Sequence, residues 1–323
     1  MSDLANAPTG ELANSSTIND AESIYLPDKK LNVPILLKHG EVLFNAHEFS
    51  LAKNIYRLLV ASGEVTGLGL FHLGKCAEAE GDVEEAISKY EESATYQPSL
   101  DTYRKLAALC LKQSNDRKAA EIFERAILLK DLTKTVLFEL HQACGNCWSR
   151  VKEIQRAETH FRKCLDINPS ADEIRSNLGT IYLQANQLDT AKRNFRDAIA
   201  SNPENSLALA GLGMCFYLEN DKKSAHDTFV RSLELNIRNS AALFHLIKCA
   251  YEIRSYAVAT KILTEYVEIA PVQPDLLYCL AGLQFQLGKM KEARATAQKV
   301  IQIRPEHAAV LELIKKIERY HGN

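Results

Sequence analysis

Helix-breaking residues are scarce in this 323-residue chain, which holds 14 glycines and 9 prolines, too few for a turn-rich all-β protein. No apolar run approaches the ~18 residues that a membrane span needs. The opening MSDLANAPTGEL has neither a basic flank nor an apolar core, so it does not read as a secretory signal. An excess of one charge is missing too. The 39 Lys and Arg nearly balance 41 Asp and Glu, and a net charge of −2 argues against a chain built mainly to neutralise phosphates. Eight cysteines without a signal peptide fit free thiols in a reducing compartment, so the expected location is cytoplasmic. Sequence motifs for catalysis are also lacking: there is no Walker loop, HExxH or nucleophile elbow. Gly67-Leu68-Gly69-Leu70 has the wrong spacing for a dinucleotide fingerprint and follows no strand. The expectation is a soluble helical protein that is not an enzyme and carries no cofactor or metal.

Residues 1–32 differ from the rest. They are polar around Ser15-Ser16-Thr17, carry five acidic residues against Lys29 and Lys30, and have too few large apolar groups to offset ordering. A disordered or loosely docked arm is expected there.

From Val33 the chain repeats itself. Leu178-Gly179, Tyr182, Ala191, Phe195, Ala198 and Pro203 are followed in step by Leu212-Gly213, Phe216, Ala225 and Phe229. Leu73-Gly74, Ala77, Ala86, Tyr90, Ser93 and Pro98 fit the same frame, as do Leu280-Ala281, Ala293, Ala297, Val300 and Pro305. The period is 34, with two helical runs per period and turn signals such as Ala185-Asn186-Gln187 between them. This pattern resembles the tetratricopeptide repeat, a helical hairpin of that length. The resemblance implies an all-α, right-handed superhelical solenoid. Eight units are expected, at 33–66, 67–99, 100–133, 134–171, 172–205, 206–239, 240–273 and 274–307, with a capping helix and tail over 308–323. Unit 134–171 is about four residues long, the excess falling in or before its first helix.

The repeat frame also disposes of the sharpest chemical motif. Cys144-Gly145-Asn146-Cys147 offers a CxxC, with His141, His160 and Cys164 as the nearby ligand candidates. Yet Cys76, Cys147, Cys215 and Cys249 share one repeat position, which points to packing as small buried hydrophobes. His39 falls where other units carry Leu, and a core histidine is expected there.

What remains is surface. The resemblance implies that the first helices of successive units line a concave face where ligands bind. On that face Phe71, His72, Lys75, Arg104 and Lys105 form a basic stretch suited to carboxylates. Asn177 stands where relatives often carry an Asn that grips peptide backbone. Further on, the face turns apolar and aromatic, with Met214, Tyr217, Phe244, Tyr251, Tyr278 and Phe285, and with His245 and Lys248 among them. The expected function is a scaffold or adaptor that holds a peptide of a protein partner in this groove. The alternatives are a helical-repeat RNA binder, which the charge disfavours, or a regulatory array serving a separate enzyme or signalling domain.

Overall fold

The structure is a computed structural model that describes residues 24–26, 30–271 and 273–321. Most of the expected arm, residues 1–32, therefore lies outside the described residues. Of its visible part, Tyr25 and Leu31 form an isolated antiparallel bridge. Leu26 N–H donates to the Lys30 carbonyl and Asn32 N–H to that of Ile24. Among the described residues there are seventeen helices and no strand, and the fold is an all-α helical-repeat solenoid.

The chain divides into two compact units between Leu132 and Thr133. The first contains α1 (Val33–Asn45), α2 (Phe49–Ala61), α3 (Thr66–Glu80), α4 (Val83–Tyr96), α5 (Leu100–Lys112) and α6 (Asp116–Ile127). The second begins with α7 (Lys134–Arg150), α8 (Ile154–Ile167), α9 (Asp172–Gln184), α10 (Leu188–Ser201), α11 (Ser206–Leu218) and α12 (Lys222–Leu235). It continues with α13 (Ser240–Ile253), α14 (Tyr256–Ile269), α15 (Pro274–Gln286), α16 (Met290–Ile303) and α17 (Ala308–His321). The extra residues noted in the sequence lengthen α7 to 17 residues, against 13 in α9 and α11.

Each turn between paired helices is built the same way. His47, Gly81, Ser114, Lys152, Asn186, Asn220, Arg254 and Gly288 each adopt a positive φ. The next N–H then reaches back to a carbonyl near the end of the first helix, as in Asp82 to Ala77, Gln187 to Tyr182 and Asp221 to Phe216. This is the left-handed helix stop that satisfies orphan carbonyls. Only two of these positions use Gly, so the backbone repeats more faithfully than the residues do. Side-chain caps start several of the following helices: Asp82 accepts from Glu85 N–H, Asn115 from Lys118 N–H and Asp221 from Ser224 N–H.

Paired helices approach through a small residue opposite a ring. A Cβ added to Gly74 would lie 2.8 Å from the Tyr90 ring, one on Gly145 2.6 Å from Phe161, and one on Gly213 2.9 Å from Phe229. Gly179 meets Phe195 in the same way at 2.6 Å. Where the glycine is missing, the opposite group varies: Ala107 and Phe123 hold the equivalent positions of α5 and α6, both buried. Ile247 and Leu263 occupy the equivalent positions of α13 and α14, and Ala281 and Ala297 those of α15 and α16, all buried. The repeat fixes the place of the pair rather than its residue types.

Candidate functional site

The first helices of the second unit present a continuous face over α9, α11 and α13. At one end lies a fixed polar network. Asp172 Oδ2 accepts from Asn202 Nδ2 at 3.0 Å and from Asn205 Nδ2 at 2.7 Å. Asn205 Nδ2 also lies 3.0 Å from Ser176 Oγ while its Oδ1 caps α11. Ser176 is buried and holds this corner rather than facing a ligand. Asn177 is half-buried and donates to Asn146 Oδ1 at 3.1 Å. Thr180 is exposed, and Glu173 and Glu204 give this end exposed carboxylates.

From there the face becomes apolar. A hollow of about 720 Å³ runs over α9, α11 and α13, with Leu207, Ala210, Met214, Phe229 and His245 among its walls. His245 stacks on Phe229 with ring centroids 5.6 Å apart. Burial, with Lys248 adding, pushes its pKa down, so the ring is held neutral, and its Nδ1 has no hydrogen-bond partner among the described residues. On the other side of α13 a second hollow of about 540 Å³ is lined by Phe244, Ile247, Lys248, Tyr251, Leu276 and Cys279. Phe244 stands on α13 in the wall of this second hollow and is 63% exposed, while Leu207, in the wall of the first, is 66% exposed.

The expected aromatic row is thus not uniform. Tyr217 sits in a charge cluster: its hydroxyl donates to Glu252 at 2.7 Å and Lys222 Nζ lies 3.2 Å from its ring centroid. Lys248 approaches the same ring at 5.2 Å. Tyr251 is 39% exposed and packs edge-on to Tyr256. Tyr278 lies against His307, and Phe285 against Tyr320 of α17, so both contribute to the packing of the last helices. Met214 is half-buried on the core of α12 to α14.

In the first unit the basic stretch is partly engaged. Lys105 pairs with Glu78 at 3.0 Å, and that carboxylate also accepts from Tyr90. Lys75 lies 5.0 Å above the Phe44 ring, Phe71 packs on Tyr90, and Arg104 is exposed. His72 stacks on Tyr56 at 4.7 Å. Burial, with Lys75 adding, pushes it from the ordinary 6.5 down to about 4. The unfolded chain then takes up a proton near pH 6.5 that the folded chain refuses until about pH 4. Stability from this residue is complete above that window and is lost as pH falls through it. His72→Phe, which keeps the stack, should therefore flatten the acid side of a urea-midpoint-against-pH curve. The loss removed is on the order of 2 kcal/mol after allowing for solvent screening. Identical slopes for the two proteins would contradict this assignment. His141, also pushed down to about 4 by burial, keeps a residual slope in the variant.

One expectation is corrected. His39 is exposed, not a core histidine. Its counterpart Leu73 packs on α1 and α2, but among the described residues no helix precedes α1 to cover the same face. The CxxC residues are both buried in α7. Cys144 Sγ lies 3.2 Å from His160 Nε2, and His160 Nδ1 lies 2.9 Å from His141 Nδ1, a chain of contacts that uses both nitrogens of one ring. Arg150 donates to Cys147 Sγ. No cysteine of the described residues is in a disulfide, and burial pushes the Cys76, Cys215 and Cys249 thiols up to about 11.

Sequence reasoning missed Leu207, Glu173 and Glu204. Leu207 had a signal: it follows the cap Asn205 at the start of α11, where an outward position on a first helix is free of packing duty.

Comparison with known proteins agrees with this architecture. Tetratricopeptide repeat models match residues 37–101 and 176–235, and a further tetratricopeptide repeat model matches 274–307. The chain belongs to the tetratricopeptide-repeat family. Its fold is like that of a tetratricopeptide repeat protein from Parabacteroides merdae, with a TM-score of 0.50 at 14% identity, over 78% of this chain and 98% of that one. Pseudomonas aeruginosa pilF gives 0.51 at 17% identity, over 67% of this chain and 96% of that one. The general transcriptional corepressor trfA of Dictyostelium discoideum is 27% identical over 114 residues, 34% of this chain. The match spans 8% of that corepressor's length. Folds of this family generally serve as scaffolds for protein–protein interaction. Among the described residues, no helix is long and apolar enough to cross a membrane.

Proposed function

We propose that this chain is a non-enzymatic adaptor that holds a peptide segment of a protein partner along α9, α11 and α13. The observation that carries this is the pair of hollows lined by α13, with Leu207 standing open in one and Phe244 in the other. Apolar side chains of the peptide seat in the hollows, and the half-buried Asn177 orients its backbone. The carboxylates Asp172, Glu173 and Glu204 at one end repel a phosphate backbone, which favours a peptide over a single-stranded RNA. Buried free thiols suit an adaptor working in a reducing compartment such as the cytoplasm.

The test fills the groove without touching the core. Thr180 and Ala241 are exposed positions in the wall of the larger hollow. Peptides selected on the full chain from a displayed random library should lose affinity about tenfold or more when Thr180→Trp and Ala241→Trp are combined. The melting temperature should stay within about a degree, as for other surface changes. If every selected peptide binds the filled groove as tightly as the open one, the reading is wrong.

A further inference from the structure

Charge changes sign along the face formed by α9, α11 and α13. Glu173, Leu207 and Ala241 hold one repeat position in these successive first helices, and Thr180, Met214 and Lys248 hold another. In the turns before α11 and α13, Glu204 and Arg238 are likewise equivalent. Positions that pack keep their character over the same step, as Phe195 and Phe229 do. Glu173, Glu204, Arg238 and Lys248 are all exposed, and none has a packing duty.

These charges are left largely uncompensated. At the α9 end Asp172 already accepts from Asn202 and Asn205. Glu173 receives one long contact, from Gln142 Nε2 at 3.5 Å. Glu204 is engaged through its backbone N–H, which donates to Asn202 Oδ1, and its carboxylate has no partner among the described residues. At the α13 end Lys222 and the Tyr217 hydroxyl both hold Glu252. Lys248 lies 5.2 Å from the Tyr217 ring centroid and lines the second hollow without an ion pair among the described residues. Arg238, two residues before Ser240 of that hollow, uses only its backbone N–H, on Asn236 Oδ1. Between the two ends stand the apolar walls, with Leu207 and Met214 in the first hollow and Phe244 and Ile247 in the second.

The spacing sets a length. Glu173 and Lys248 are two first helices apart and about two turns apart along the helix axis, a separation of roughly 20 Å. An extended chain covers that in about six residues. Resting on the groove binding proposed above, we infer that the partner segment is of mixed charge. A basic residue meets Glu173 and Glu204, apolar residues fill the two hollows, and an acidic residue about six positions away meets Lys248 and Arg238. A segment of one charge sign meets repulsion at one end, so the groove selects against it.

The displayed library, panned on the full chain, supplies the probes. Peptides that lose affinity on Thr180→Trp plus Ala241→Trp are the groove binders, and they should share a basic and an acidic residue about six apart. Replacing the peptide's basic residue with glutamine should weaken binding about threefold, and so should Glu173→Gln plus Glu204→Gln, as for exposed charge pairs. Made together, the two changes should cost no more than either alone, because the pair is already broken. The peptide's acidic residue and Lys248→Gln plus Arg238→Gln should form a second such pair. Crossed combinations, one change from each pair, should multiply. All these effects should fade at about 1 M salt. The inference fails if the groove binders share no such charges, or if matched and crossed combinations multiply alike. Peptides that the two tryptophans still block would then leave the groove binding itself standing. If the tryptophans block no peptide, both fall.

Discussion

Replacing Phe195 with Ala should lower stability by about 3–5 kcal/mol, the usual cost of emptying a site of this size in a tight core. The ring is buried and lies between two glycines of successive hairpins. A Cβ on Gly179 of α9 would come within 2.6 Å of it, and one on Gly211 of α11 within 2.3 Å. Neither helix can move in without losing its other neighbours, so the hole stays largely open. The reverse insult is informative too. Gly211→Ala forces a methyl into the ring and should cost about 1–3 kcal/mol. Adding Phe195→Leu to Gly211→Ala should recover part of that loss, because the shorter side chain yields the space the methyl takes. Urea unfolding followed by circular dichroism gives the totals. Hydrogen exchange should show the loss concentrated in α9 to α12, since array stability is summed from neighbours. Additive costs in the double variant would show that the ring and the methyl do not meet.

The largest binding effect is expected from Phe244→Ala plus Tyr251→Ala. Each aromatic at a groove centre is often worth about 2 kcal/mol or more. The pair should weaken a groove peptide at least ~30-fold, at about 1.4 kcal/mol per decade. Phe244 is the cleaner probe: being 63% exposed, it should leave the melting temperature nearly unchanged. Tyr251 also packs on Tyr256, and some stability goes with it. Tyr217→Ala should behave differently from both. It removes the ring between Lys222 and Lys248 and the hydroxyl that Glu252 accepts, so binding and stability should fall together. Fluorescence anisotropy of a selected peptide, paired with thermal melts, distinguishes the cases. Unchanged affinity in the double variant would mean that these rings serve packing alone.

The solenoid was legible because its rule is local. A small residue at one place and a ring sixteen positions on, as in Gly74 and Tyr90 or Gly213 and Phe229, can be seen without knowing any neighbour. The site was less legible, because exposure on a first helix depends on what comes from outside the period. Tyr278 and Phe285 occupy face positions equivalent to open ones elsewhere, yet His307 and Tyr320 meet them. His39 shows the converse, a core position with nothing described to cover it. Charges were hardest of all. Nothing in the spacing of Lys105 announces that Glu78, a turn and a helix away, already holds it.

The ring held between two glycines also sets how the chain leaves the ribosome. Phe195 belongs to α10 but is enclosed only once α11 supplies Gly211, so a nascent hairpin remains incomplete until the next helix emerges. Each new helix therefore both finishes the preceding pair and opens its own. For α15 and α16 the finishing helix is α17, which buries Val310, Leu313 and Ile317 against them. A stall in translation just before α17 would leave that last apolar seam open to chaperones.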